Sequence, residues 1–157
     1  MGESTKWRID KSTNRQIDKI KGKVYKVKTT NIICGDNMKK EMIEKILKYA
    51  NDNPDGFTIE ITNGEKIKPF KFSNTHRYAV SMTNNDDNDK VIHMLKELPD
   101  NFNGYIGGWM DKELNKYYID LTIIVESLTT AFAIGVKFKQ KAIWDGIKNK
   151  EIKIKRR

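Results

Sequence analysis

Three short turns constrain this chain more than any other feature. Asn63-Gly64, Lys112–Asn115 and Asp145–Asn149 each separate two segments that read as strands by their alternating apolar and polar residues. Alternation with period two puts every second side chain on one face of a strand. A parallel crossover takes a dozen or more residues, so strands joined this tightly must run antiparallel. Asn63-Gly64 is the sharpest signal, because both residues tolerate the positive φ of a type I′ turn. The hairpins are then Phe57–Ile61 with Lys66–Phe72, Gly104–Asp111 with Lys116–Thr122, and Lys141–Trp144 with Lys150–Ile154. Pro69 has no N–H to give to a ladder, which puts its strand at an edge or at its own end. Arg77–Thr83 reads as a third strand following the first hairpin.

Between these strands the apolar period lengthens to that of a helix. Met38, Met42, Ile43, Ile46, Leu47 and Ala50 share one face, with Asp36 or Asn37 able to cap and Asn53-Pro54-Asp55-Gly56 to stop it. Val91, Ile92, Leu95 and Leu98 predict a second helix, entered through Asn84–Asp89 and closed by Pro99. Ser127 caps a third through about Lys137, expected to bury Leu128, Ala131, Phe132 and Val136. Nearer the start, Arg15–Lys21 predicts a short helix with Ile17 and Ile20 on one face, and Lys23–Lys28 a strand around Val24 and Val27. The expected fold class is α+β, a mainly antiparallel sheet built from hairpins with two or three helices packed on one face. We divide the single domain 1–157 into a basic N-terminal region, 1–35, an α+β core, 36–154, and a basic tail, 155–157.

Composition narrows the classes. The chain has 157 residues, 38% hydrophobic and 32% charged, which suffices for one core and excludes a disordered chain. The longest apolar stretch, Leu121 to Val136, is interrupted by Glu126 and three threonines, and a spanning helix needs about 20 predominantly apolar residues. No apolar block follows the first charges, so no signal peptide is expected. Cys34 is the single cysteine, which excludes an internal disulfide and suits a reducing cytosol. It follows two isoleucines and reads as a small buried hydrophobe rather than a nucleophile. The formal charge is +9, with 25 lysines and 5 arginines, and it is unevenly spread. Residues 1–35 hold nine Lys/Arg against three acids and residues 137–157 nine against two, while 36–136 hold twelve against sixteen. Basic ends around a mildly acidic centre point to an anionic partner, nucleic acid being the commonest.

Motifs for chemistry are sparse. No phosphate-binding loop or dinucleotide fingerprint occurs, and His76 and His93 lack metal-ligand spacing, so no metal, cofactor or small-molecule substrate is expected. Asp145 with Glu151-Ile152-Lys153 matches the Asp…Glu-x-Lys pattern of metal-dependent nucleases, where two carboxylates hold Mg²⁺ and a lysine polarises the attacking water. The same trio is what alternation yields on any solvent-facing strand of a lysine-rich chain. Asp111 and Asp120, near Trp109, Tyr117 and Tyr118, offer paired carboxylates for acid–base work, or else a turn-initiating residue and a strand-end residue. The basic ends interleave charge with aromatic rings. Trp7, Arg8, Lys19, Lys21, Lys23, Tyr25, Lys26, Lys28, Lys153, Lys155 and Arg156 form the candidate partner-binding set. The other reading of Trp7 and Tyr25 is core packing.

A resemblance adds to this. Gly107-Gly108-Trp109-Met110-Asp111, Tyr117-Tyr118-Ile119-Asp120-Leu121, the run Lys139–Asp145, Asp55-Gly56-Phe57-Thr58-Ile59 and Tyr78-Ala79-Val80 resemble a group of small proteins encoded by phages, plasmids and integrated elements. The resemblance covers roughly residues 55–154, rests on turn glycines, core aromatics and hairpin aspartates, and transfers no catalytic residue. Residues 1–50 depart from it. It implies a non-catalytic, cytoplasmic inhibitor of host defence, similar in kind to the staphylococcal anti-CRISPR proteins that act on type II nucleases. The implied partner is a CRISPR effector nuclease or its guide-RNA complex, with no membrane involved. A +9 chain is ill suited to imitating DNA, so such an inhibitor is expected to dock on an acidic surface or on the RNA assembly. A nucleic-acid-binding accessory protein and a metal-dependent nuclease are the alternatives.

Overall fold

A computed structural model of the chain describes residues 37–155 and, ahead of them, two short antiparallel strands, β1 (Lys19–Ile20) and β2 (Lys23–Val24). Lys19 and Ile20, predicted to close a helix, are extended instead. A helix of seven residues is below the length at which nucleation is recovered, and pairing with Lys23 and Val24 supplies ladder partners.

Beyond these, α1 (Asn37–Asp52) precedes the hairpin β3 (Gly56–Thr62) and β4 (Lys66–Pro69), and β5 (Tyr78–Ser81) precedes α2 (Asn88–Glu97). The hairpin β6 (Gly104–Asp111) and β7 (Lys116–Val125) leads through α3 (Leu128–Lys137) to the hairpin β8 (Ala142–Asp145) and β9 (Lys150–Lys153). Local chemistry explains the boundaries. Asp87 caps α2 by accepting a hydrogen bond from Lys90 N at 2.9 Å, and Ser127 caps α3 through Thr130 N at 3.3 Å. Asn63 and Gly64 both take positive φ, 53° and 67°, at the β3–β4 turn.

Seven strands form one antiparallel sheet in the order β4-β3-β6-β7-β5-β8-β9. All three predicted hairpins are present, and β4 with Pro69 is an edge. β5 does not stay beside the first hairpin. It inserts between β7 and β8, with Tyr78 opposite both Val125 and Asp145. Tyr78, Ala79 and Val80 are all buried, as a strand flanked on both sides requires.

Register sorts side chains by face. Ile59 and Ile61 of β3 share one face with Ile106 and Met110 of β6 and with Tyr117 and Ile119 of β7, and α1 and α2 pack there through Ile43, Ile46, Leu47, Val91 and Leu95. By the same parity Tyr78, Val80 and Ile143 lie on this core face, where they pack with Ala131 of α3 and with Ile154. Leu128 and Val136, expected to be buried, are 37% and 63% exposed. The stripe that α3 buries is Ala131 and Gly135, small residues that let its backbone approach until a methyl group on Gly135 would collide with Ile154. No helix of the described residues is long and apolar enough to cross a membrane.

Candidate binding groove

The opposite face of the sheet carries a cavity of about 380 Å³, within the range of about 300–1,000 Å³ typical of ligand clefts. None of its lining residues comes from α1, α2 or α3. Its floor is built by register. Thr58 pairs with Gly107, Gly107 with Asp120, Thr122 with Ser81, and Ala79 with Trp144. The floor positions are small, so the strands leave a trough rather than a ridge. Gly107 is required there, because a Cβ would stand 2.6 Å from Thr122 Oγ1.

Aromatic residues wall the trough. Trp109 lies opposite Gly56 and stacks, tilted, on Tyr118 at 5.6 Å between ring centroids. Trp144 lies opposite Glu151. The connection from β4 to β5 brings Phe72 over Gly146, and Phe70 meets both Phe72 and Tyr105 edge-on at 5.0 Å. Edge-to-face contacts of this kind add about 0.5–1.5 kcal/mol beyond burial, which fixes the wall.

Asp120 sits in the middle of β7, buried, and not at a strand end as the sequence suggested. Its Oδ1 accepts hydrogen bonds from Thr83 Oγ1 at 2.7 Å and from Asn85 N at 2.8 Å. Burial nonetheless pushes this carboxyl up to about 7, against the pull of Asn85, Thr83 and Ser81, the last of which lines the groove. Asp111 does initiate the β6–β7 turn, accepting from Glu113 N and Leu114 N at 3.0 and 3.1 Å and from Lys141 Nζ at 3.0 Å. Burial works to raise it, but Leu114, Lys141 and Glu113 outweigh that and hold it below the ordinary carboxylate value. Gly107, the partner of Asp120, is four residues from Asp111 along β6, roughly 13 Å at strand rise, so the two carboxyls are not an acid–base pair.

Nor does the fold assemble Asp145, Glu151 and Lys153. Asp145 points to the core face, where Arg77 grips it through Nε at 3.0 Å and Nη2 at 2.9 Å, and Ile147 N and Lys148 N each donate at 3.1 Å. The Arg77 guanidinium, aided by those N–H groups, holds its carboxyl down at about 2. Glu151 has the opposite parity, and Lys153 Nζ bonds Glu113 Oε1 at 2.8 Å. Among the described residues no group of three or more His, Cys, Asp and Glu is placed to hold a metal ion. His76 and His93 are both exposed.

Of the partner-binding set, Lys153 and Lys155 are exposed at the β9 edge, and the backbones of Lys19 and Lys23 lie in β1 and β2. Trp7, Arg8, Lys21, Tyr25, Lys26, Lys28 and Arg156 lie outside the described residues, as does Cys34. The sequence reading missed the groove itself. Trp109 and Trp144 stand out of phase with Ile106, Met110 and Ile143, and that parity was the available signal. No family model, curated protein or solved structure matches the chain.

Proposed function

We propose that this protein acts by binding rather than catalysis, as a stoichiometric inhibitor of a host-defence nuclease, with a type II CRISPR effector as the first partner to test. The observation that carries a binding role is the groove: an aromatic-walled trough on a sheet face, floored by small residues, while the carboxyls considered for chemistry, Asp145, Asp111 and Asp120, lie outside its lining and are committed to Arg77, Lys141 and buried hydrogen bonds. The resemblance of residues 55–154 to mobile-element proteins directs the choice of partner. Aromatic rings in a concave, desolvated site are the usual anchors of a protein interface.

A tagged copy is used to capture partners from a lysate carrying an active CRISPR system, with and without nuclease digestion. Retention of one effector at near-equimolar amount after digestion, together with inhibited DNA cleavage by the purified effector, is the expected result. Capture of nucleic acid alone, abolished by digestion, overturns it.

A second reading has its own observation. Lys148, Lys150 and Lys155 are exposed on or beside the β8–β9 hairpin, at one edge of the sheet, where they can track a phosphate backbone. Affinity would then fall as a power of salt concentration and be indifferent to sequence.

A further inference from the structure

The groove's charge runs against that of the chain. In a protein of formal charge +9, its lining includes two carboxylates, Asp55 and Glu151, and one lysine, Lys141, whose ammonium is bonded to Asp111 at 3.0 Å. Each carboxylate accompanies a tryptophan. Glu151 is the direct cross-strand partner of Trp144, on the same face, and Asp55 adjoins Gly56, the cross-strand partner of Trp109. Strand order brings these two pairs, far apart in sequence, to one trough whose floor offers the hydroxyls of Ser81 and Thr122.

From this arrangement we infer that the groove is a receptor for an arginine side chain presented by a partner protein, an inference that rests on the binding role proposed above. Tryptophan has the most favourable ring face for a cation, and a carboxylate beside it supplies the counter-charge. Guanidinium suits the site better than ammonium. It is planar, weakly hydrated, able to stack on an indole while donating to a carboxylate, and carries enough N–H groups to reach floor hydroxyls as well. An anionic group would meet Asp55 and Glu151, and a purely aliphatic one would leave both carboxylates without a counter-charge, whereas the hydroxyls of Ser81 and Thr122, already bonded to Asp120, keep lone pairs that a guanidinium can donate to. A phosphate-bearing ligand is therefore directed away from the groove, toward the lysines at the sheet edge.

The test uses the full chain labelled with ¹⁵N and the three indole N–H signals of its tryptophans. A blocked Gly-Arg-Gly peptide is titrated against the same peptide carrying citrulline, which keeps the planar shape and loses the charge. The arginine peptide is expected to shift the Trp109 and Trp144 signals in a saturable manner, and citrulline to bind about tenfold more weakly. Glu151→Gln is expected to weaken the arginine peptide by about two- to fivefold while leaving citrulline unchanged, since Glu151 is exposed and its replacement touches no core contact. Equal responses to the two peptides, or silence at both indoles, overturn the inference. A captured effector with silent indoles would reject the arginine site and leave the inhibitor reading intact. Arginine-specific shifts with no effector captured would uphold the site and reject that partner.

Discussion

Asp120 should make this protein less stable as pH rises from about 4 to about 7, contrary to the common behaviour of carboxylates. Its ordinary value is 3.8 and burial carries it to about 7 in the folded chain. Between those values the folded protein holds a proton that the unfolded chain has released, so stability falls with rising pH. That contribution is fully present below about 3.8 and gone above about 7. Over the full interval it amounts to about 4 kcal/mol at 1.36 kcal/mol per pH unit, of which about 2.5 kcal/mol is lost between pH 5 and pH 8. Asp145, held at about 2, changes protonation below this window. Asp120→Asn keeps an acceptor for Thr83 and Asn85 and has no charge to bury. Urea unfolding at pH 5 and pH 8 should show the parent's midpoint falling by about 1–2 M at the higher pH, for a slope near 1–3 kcal/mol/M. The variant should match the parent only near pH 3.8 and below, exceed it by about 1.5 kcal/mol at pH 5 and by about 4 kcal/mol at pH 8. A parent indifferent to pH across this range, or a variant with the parent's slope, would refute the argument.

Arg77→Ala leaves the Asp145 carboxylate, 2% exposed, without its bidentate partner, and should lower the denaturant-unfolding midpoint. Gly107→Ala drives a methyl against Thr122 Oγ1 and should cost about 1–3 kcal/mol, most of which Thr122→Ala in the same chain restores, as thermal unfolding of the single and double variants would show. Leu47→Ala empties a fully buried position in the core under α1 and should cost about 2–5 kcal/mol by the same measurement, without altering the indole signals of Trp109 and Trp144. Asp87→Ala removes the cap of α2 and should cost about 1 kcal/mol.

What the sequence revealed and what it withheld divide along one line. Hairpins and caps are local: Asn63-Gly64, Asp111 and Ser127 act within a few residues of themselves, and each does what its neighbourhood indicated. Asp145 is paired with Arg77, 68 residues away, and no local pattern announces that. On α3 the expected burial holds for Ala131 and in part for Phe132, while Leu128 and Val136 are exposed, because close packing favours the small Gly135 over the larger apolar residues. The alternation predicts a strand that ends at Thr122, which puts Asp120 near its end, but β7 runs on to Val125; the cost of a carboxylate inside that central strand is visible in its raised proton affinity. The groove was hidden for a further reason: its two tryptophans come to line one cavity only once β5 has taken its place between β7 and β8.

That placement of β5 sets a schedule for the newborn chain. Hairpins β3–β4, β6–β7 and β8–β9 each close on themselves within microseconds of leaving the ribosome. Tyr78–Ser81 has no such neighbour; its partners are Thr122–Val125 and Trp144–Asp145. At about 5–20 residues per second, several seconds separate the emergence of β5 from that of its second partner. Tyr78–Ser81 stays a buried-type strand without a ladder until Thr122–Val125 emerges, and its other edge stays open until Trp144–Asp145 follows.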